Sequence, residues 1–174
     1  MCRACLDSQI SALFNRLYVP EANHELVIRF FISFSRLEYA LKSDSRYLKK
    51  GLYDRAEVDW PRFTEDKFRD FDPSTDITLK EAVDFLLRTP PRQQIKNSGG
   101  NLDWRERDYE EESDLGNIVE AVKQVRNNLF HGGKCGWRDS NDSARNGDLL
   151  RHSLRVLEYI VTLDDSIRRI FWES

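Results

Sequence analysis

The residues best suited to chemistry stand together in the stretch Arg126-Asn127-Asn128-Leu129-Phe130-His131-Gly132-Gly133-Lys134. Arginine is permanently charged and meets phosphate oxygens with a planar fork, whereas histidine titrates near neutrality. Together they suit work on a phosphodiester. Leu115, Ile118, Val119, Val122, Val125 and Leu129 recur at three- and four-residue steps, so at about 100° per residue they form one apolar stripe of a helix. Arg126 falls inside that stripe, where an unpaired guanidinium would cost several kcal/mol. Either a buried acid pairs with it or that part of the face opens onto a cleft.

His131 would swing roughly 140° away from Arg126 if the helix continued. Gly132-Gly133 supplies a stop near Phe130, because glycine adopts the left-handed conformation at a helix C-terminus without a Cβ penalty. A tight turn then brings the imidazole back beside the guanidinium. Between Ala121 and Arg138 there are four cations (Lys123, Arg126, Lys134, Arg138) and no acid, in a chain whose net charge is −3. This is a basic spot on an acidic protein.

Arg126-Asn127 followed by His131 resembles the R-x4-6-H signature of the HEPN superfamily, with a polar residue directly after the arginine as in its ribonuclease members. The run Phe34-Ser35-Arg36-Leu37-Glu38-Tyr39-Ala40-Leu41 resembles the first core helix of that superfamily. The resemblance covers about 22–42 and 113–171; the middle, about 43–112, matches nothing. A second spacing, Arg145 to His152 with Asn146 after the arginine, also fits the bare pattern. It is set aside because Arg145 lies in a polar run expected to precede a helix.

The resemblance implies an all-α, HEPN-like helical bundle and a metal-independent RNA endonuclease that needs no cofactor. In such enzymes the RNA 2′-hydroxyl attacks its own adjacent phosphate and leaves a 2′,3′-cyclic phosphate and a 5′-hydroxyl. By resemblance, His131 moves protons and Arg126 holds the non-bridging oxygens. Asn127 positions the phosphate or the histidine, and Lys134 adds a phosphate contact. One motif per chain means that a composite site requires a homodimer, with a broad apolar seam shared by the helices bearing Arg126 and Glu38 as its natural interface. Catalytic members often act in toxin–antitoxin or antiviral systems, so an antitoxin or regulatory protein joins RNA among the expected partners.

The elements that position these residues can be read from hydropathy. One domain is expected over residues 1–174, with 40% apolar and 11% aromatic residues available for a core. Core helices are expected at about 22–42, 78–88, 113–130 and 148–171, with insertions or loops at about 43–77 and 89–112 and no strand of useful length. In the first helix Leu26, Phe30, Phe31, Phe34, Leu37 and Leu41 make a wide apolar face, and Asn23 is available as its cap. Glu38 lies at the edge of that face and is the best acid to neutralise and orient Arg126; the competing reading is a glutamate reaching solvent beside the core. Trp60-Pro61 opens a short helix with Phe63 and Phe68 inward, and Thr78-Leu79-Lys80-Glu81 matches a capping box. Leu6, Ile10, Leu13, Phe14 and Leu17 mark an amphipathic strap before Pro20.

Cys2 and Cys5 have no second Cys/His pair at zinc spacing, so reduced thiols and no metal are expected. No apolar run approaches the roughly 18 residues of a membrane span, and the start lacks a secretory layout, so a cytoplasmic location without membrane partners is expected. Asp103 to Asp114 carries seven acids against Arg105 and Arg107 and suits a solvated loop. Two rival functions stay open. One is a non-catalytic HEPN-like module that binds nucleotide, RNA or protein, since an acidic chain is not an obvious RNA binder. The other is an antitoxin-like scaffold that binds through its acidic segment.

Overall fold

The computed structural model describes residues 21–106, 113–130 and 140–173. Among them, six α-helices dominate: α1 (Glu21–Ser43), α2 (Trp60–Lys67), α3 (Ile77–Arg88), α4 (Asp114–Phe130), α5 (Ser140–Ile160) and α6 (Asp165–Glu173). The helical class expected from periodicity is therefore present. The expected strap before Pro20, the Cys2–Cys5 pair and the Gly132-Gly133 stop lie outside the described residues.

The long helices bury most of the stripe that their spacing defines, but Phe31, expected on the inner face of α1, falls on its other side and is 44% exposed. Phe30, Phe34, Leu37, Ala40 and Leu41 of α1 are buried, as are Leu79, Ala82, Val83 and Leu86 of α3 and Leu115, Ile118, Val119, Val122 and Val125 of α4. Their common partner is α5, whose Leu150, Leu154, Leu157 and Ile160 face the same core. α5 packs against α1, α3 and α4, so it is the hub of the bundle. α1 meets α5 and α6 closely, whereas it reaches α4 chiefly through long side chains. That wider seam between α1 and α4 holds Arg126.

Four features differ from the sequence reading. Two antiparallel hairpins occupy the stretches expected to be loops: β1 (Leu48–Lys50) with β2 (Ala56–Val58), and β3 (Gln93–Lys96) with β4 (Leu102–Arg105). Strands of three or four residues that stay mostly exposed carry no readable alternation, which is why composition hides them. The turn of the second hairpin is specific: Asn97 Oδ1 accepts from Asn101 N at 3.0 Å, and Gly100 takes φ +84°.

The last helix is not one piece over 148–171. α5 starts at Ser140, because Arg145 Nη2 donates to Pro90 O at 2.8 Å and Asn146 is buried, and these tertiary contacts offset the poor propensity of the Ser-Asn-Asp run. The helix then breaks at a 3-10 turn, Val161–Leu163, where Thr162 Oγ1 donates to Tyr159 O at 2.7 Å and Asp164 accepts from the amides of Ser166 and Ile167. Those side-chain bonds compete with the helical ladder. The sequence signal was Thr162-Leu163-Asp164-Asp165-Ser166, a cluster of cap formers.

Capping and one ring also depart from expectation. Asp76, not Thr78, caps α3, accepting from Leu79 N at 2.8 Å and from Thr78 Oγ1 at 2.6 Å. α1 begins at Glu21, so Asn23 stands inside its first turn. Pro61 does sit in the first turn of α2, capped by Asp59, and Phe63 is fully buried, but Phe68 is exposed because it follows the helix end.

The start of α6 is fastened by a polar cluster. Asp164, only 8% exposed at its side chain, accepts from Lys67 Nζ at 2.9 Å, from Arg46 Nη2 at 3.1 Å and from Ser166. It joins the end of α2, the loop after α1 and the last helix in one network.

Candidate functional site

Arg126 lies in the last full turn of α4 and points across the seam towards α1. Its guanidinium carbon stands 5.6 Å from the ring centre of Phe34 and 5.3 Å from that of Phe130. At these distances the ring faces attract the cation, and the flat guanidinium is held in one orientation. Helical pitch explains the arrangement: Phe130 is one turn beyond Arg126, and Phe34 and Glu38 are one turn apart on the opposing helix. Phe31 completes the set, with its ring 5.1 Å from that of Phe130. Sequence reasoning assigned these three rings no role at the site; the usable signal was an aromatic four residues from each of the two charged positions, Phe34 before Glu38 and Phe130 after Arg126.

Glu38 Oε2 lies 3.7 Å from Arg126 Nη2, with the side chains 28% and 36% exposed. Arg126 Nη1 also donates to Asn127 Oδ1 at 3.1 Å. The structure thus brings Arg126, Asn127 and Glu38 together at a half-open edge. An ion pair this exposed contributes about 1 kcal/mol or less, and it lacks the short bidentate geometry of a strong pair. The carboxylate orients the guanidinium without consuming it. A phosphate that offers two oxygens to the fork can compete for it.

His131 and Lys134 lie outside the described residues. Lys123, counted with the basic spot in the sequence, pairs with Glu120 and sits over the Trp60 ring at 5.9 Å, so its charge is already engaged beside the seam. On the inner side of α4, Gln124 Nε2 donates to Asn128 Oδ1 and Asn128 Nδ2 to Arg92 O, each at 2.8 Å. This chain ties the end of α4 to the segment leading into β3, and so helps to hold Arg126 in place.

The alternative pair Arg145 and His152 sits within one helix, not before it, which corrects the reason for setting it aside. Arg145 is bonded to Pro90 O, and His152 stacks on Phe85 with ring centres 4.3 Å apart. Both side chains are therefore engaged in packing. Burial lowers the His152 pKa from its ordinary value near 6.5. A histidine held neutral contributes full stability above pH 6.5, and that contribution declines as pH falls from 6.5 towards the lower folded midpoint. An NMR titration is expected to place His152 below 6.5, with Phe85→Ala moving it back up. A midpoint at or above 6.5 would contradict the stacked, desolvated geometry.

Among the described residues, no cluster of three or more His, Cys, Asp or Glu side chains is placed to hold a metal ion, and no helix is long and apolar enough to cross a membrane. Compared with family models, curated proteins and solved structures, the chain matches none.

Proposed function

We propose that this chain is a metal-independent endoribonuclease of the HEPN type, cytoplasmic and of toxin or antiviral-defence character, acting as a homodimer with a composite site. The observation that carries the reading is Arg126, set in the seam between the Phe34 and Phe130 rings and left about one-third exposed. A core arginine with only a structural task would be expected to bury its fork against a carboxylate at hydrogen-bond distance. This one is oriented by rings and loosely balanced by Glu38, which suits a group that must meet negative charge arriving from solvent.

In the proposed reaction the 2′-hydroxyl oxygen loses its proton and attacks the adjacent phosphorus, the P–O5′ bond breaks and O5′ gains a proton, with His131 of one protomer serving one of the two transfers and the partner's His131 the other. Arg126 holds the non-bridging oxygens while charge builds on them. Asn127 turns its carbonyl towards Arg126, so the donor end of the amide is the one a phosphate oxygen would meet. Lys134 adds a further phosphate contact. Glu38 is a positioning residue.

The test is cleavage of a mixed-sequence RNA in EDTA by wild type and by His131→Ala, with end-group analysis. Wild type is expected to leave 2′,3′-cyclic phosphate and 5′-hydroxyl ends, with the variant reduced by about 10²–10⁴-fold and a DNA of the same sequence left intact. An inert, folded, dimeric wild type would transfer the weight to a non-catalytic HEPN-like binding module. The contact between Glu38 and Arg126 favours that second reading, because it already supplies the guanidinium with a counter-charge.

A further inference from the structure

We propose that the outward face of α1, from Ile28 to Tyr39, is the surface through which two copies of this chain associate; the proposal deepens the homodimer reading above and rests on it. α1 is apolar on two opposite sides. Phe30, Phe34, Leu37, Ala40 and Leu41 make the side that enters the core. At about 100° per residue, Ile28, Phe31, Ile32, Ser35 and Tyr39 fall within an arc of roughly 100° on the other side. There Ile28 is 57%, Phe31 44%, Ile32 46% and Tyr39 55% exposed. A helix that covers a single core needs one apolar stripe, and a second, solvated stripe marks a surface with a partner.

The patch continues through the tilted contact of Phe31 with Phe130, which is itself 51% exposed, to the edge where Arg126 and Glu38 meet. With aromatic side chains near 200 Å² each, the exposed apolar area comes to about 500 Å² per copy. A two-fold pair would bury about 1,000 Å², which reaches the lower bound of specific interfaces before any rim is counted.

The stripe itself favours a second copy as the occupant. Its five positions are uncharged, with Glu38 and Arg36 on the two flanks, so two such faces meet without an ion at their centre, and the stripe is self-complementary in an antiparallel pairing. Centring the crossing between residues 33 and 34 places Ile28 opposite Tyr39, and Ile32 opposite Ser35, whose small side chain lets the helices approach. An antiparallel two-fold keeps a given flank of both helices on one side of the dimer. Both Arg126 edges therefore face the same way, with each Glu38 only about 7 Å along the helix from the axis. Two basic groups on one side are what a composite phosphodiester site requires.

Sedimentation equilibrium without RNA, with circular-dichroism melting, tests this on wild type, on Ile28→Glu/Ile32→Glu and on Ser35→Arg. Wild type is expected at twice the mass of the chain. Both variants are expected to be folded, with dissociation constants raised about 30-fold or more and melting temperatures not below that of a wild-type monomer. Ser35→Arg keeps the test decisive should the double variant fold poorly. A monomeric wild type overturns the proposal, as do variants that dimerise like wild type. Variants that melt early in a monomeric protein would show the face covered from within, as by the amphipathic segment from Leu6 to Leu17, and also overturn it. An inert dimer would sink the ribonuclease reading alone, and a monomer that cleaves RNA would sink the interface and the composite site while leaving the ribonuclease activity.

Discussion

Arg126→Ala is expected to lower RNA cleavage by about 10²–10³-fold, the usual loss when one preorganised donor to a developing oxyanion is removed. The fold should tolerate it. The ion pair with Glu38 is part-exposed and contributes about 1 kcal/mol or less, and the ring contacts add about as much again. For a chain of this length that is a fall of a few degrees in melting temperature, about 2–4 °C per kcal/mol. Arg126→Lys keeps the charge but loses the planar fork and its stacking between Phe34 and Phe130, so an intermediate rate is expected. Single-turnover cleavage beside thermal melts separates the effects. If Arg126→Ala cleaves at the wild-type rate, the guanidinium is a tie between two helices and has no part in the reaction.

Asp164→Ala is expected to destabilise the protein by about 3 kcal/mol, a drop of about 6–12 °C, because it leaves the half-buried ammonium of Lys67 without its carboxylate and removes the bonds that start α6. Burial alone would raise the pKa of Asp164. Hydrogen bonds from Ser166, Lys67 and the Ile167 amide, with the Lys67 charge, outweigh it and hold the carboxyl far below its usual range. The sign follows from linkage: the folded pKa lies below the unfolded value near 3.9, so the contribution is fully present above about pH 4 and is lost as pH falls through the folded pKa. Asp164→Asn should therefore be less stable at neutral pH and show a flatter acid limb in denaturant melts followed from pH 7 to pH 2. A variant as stable as wild type at pH 7 would mean that the cluster is solvated and adds nothing.

The site was legible in part, for a local reason. Arg126 interrupts an otherwise apolar stripe, and Glu38 sits at the rim of another, so helical pitch alone places both at the edge of a core. Pitch is silent about which helix lies across the seam. The rings of Phe34 and Phe130 came to flank the guanidinium through packing, and the same packing set Trp60 under Lys123, whose pairing with Glu120 is local to the helix. The hairpins and the break at Asp164 were hidden because they depend on three or four residues each, too few for a period to show.

From the amino-acid order came the number and phase of the long helices, the apolar faces they bury and the clustering of arginine, asparagine and histidine at the end of one of them. Those properties repeat along the chain with the period of its own backbone, and neighbours within a few turns suffice to set them. Tertiary structure alone made α5 the hub, extended it back over a polar run through the Arg145 and Asn146 contacts, and gathered Arg46, Lys67 and Asp164 from three distant segments. It also left Ile28, Phe31, Ile32 and Tyr39 facing solvent on a helix whose opposite side fills the core. Burial is a property of what lies across from a residue, and that partner is chosen only when the whole chain has packed.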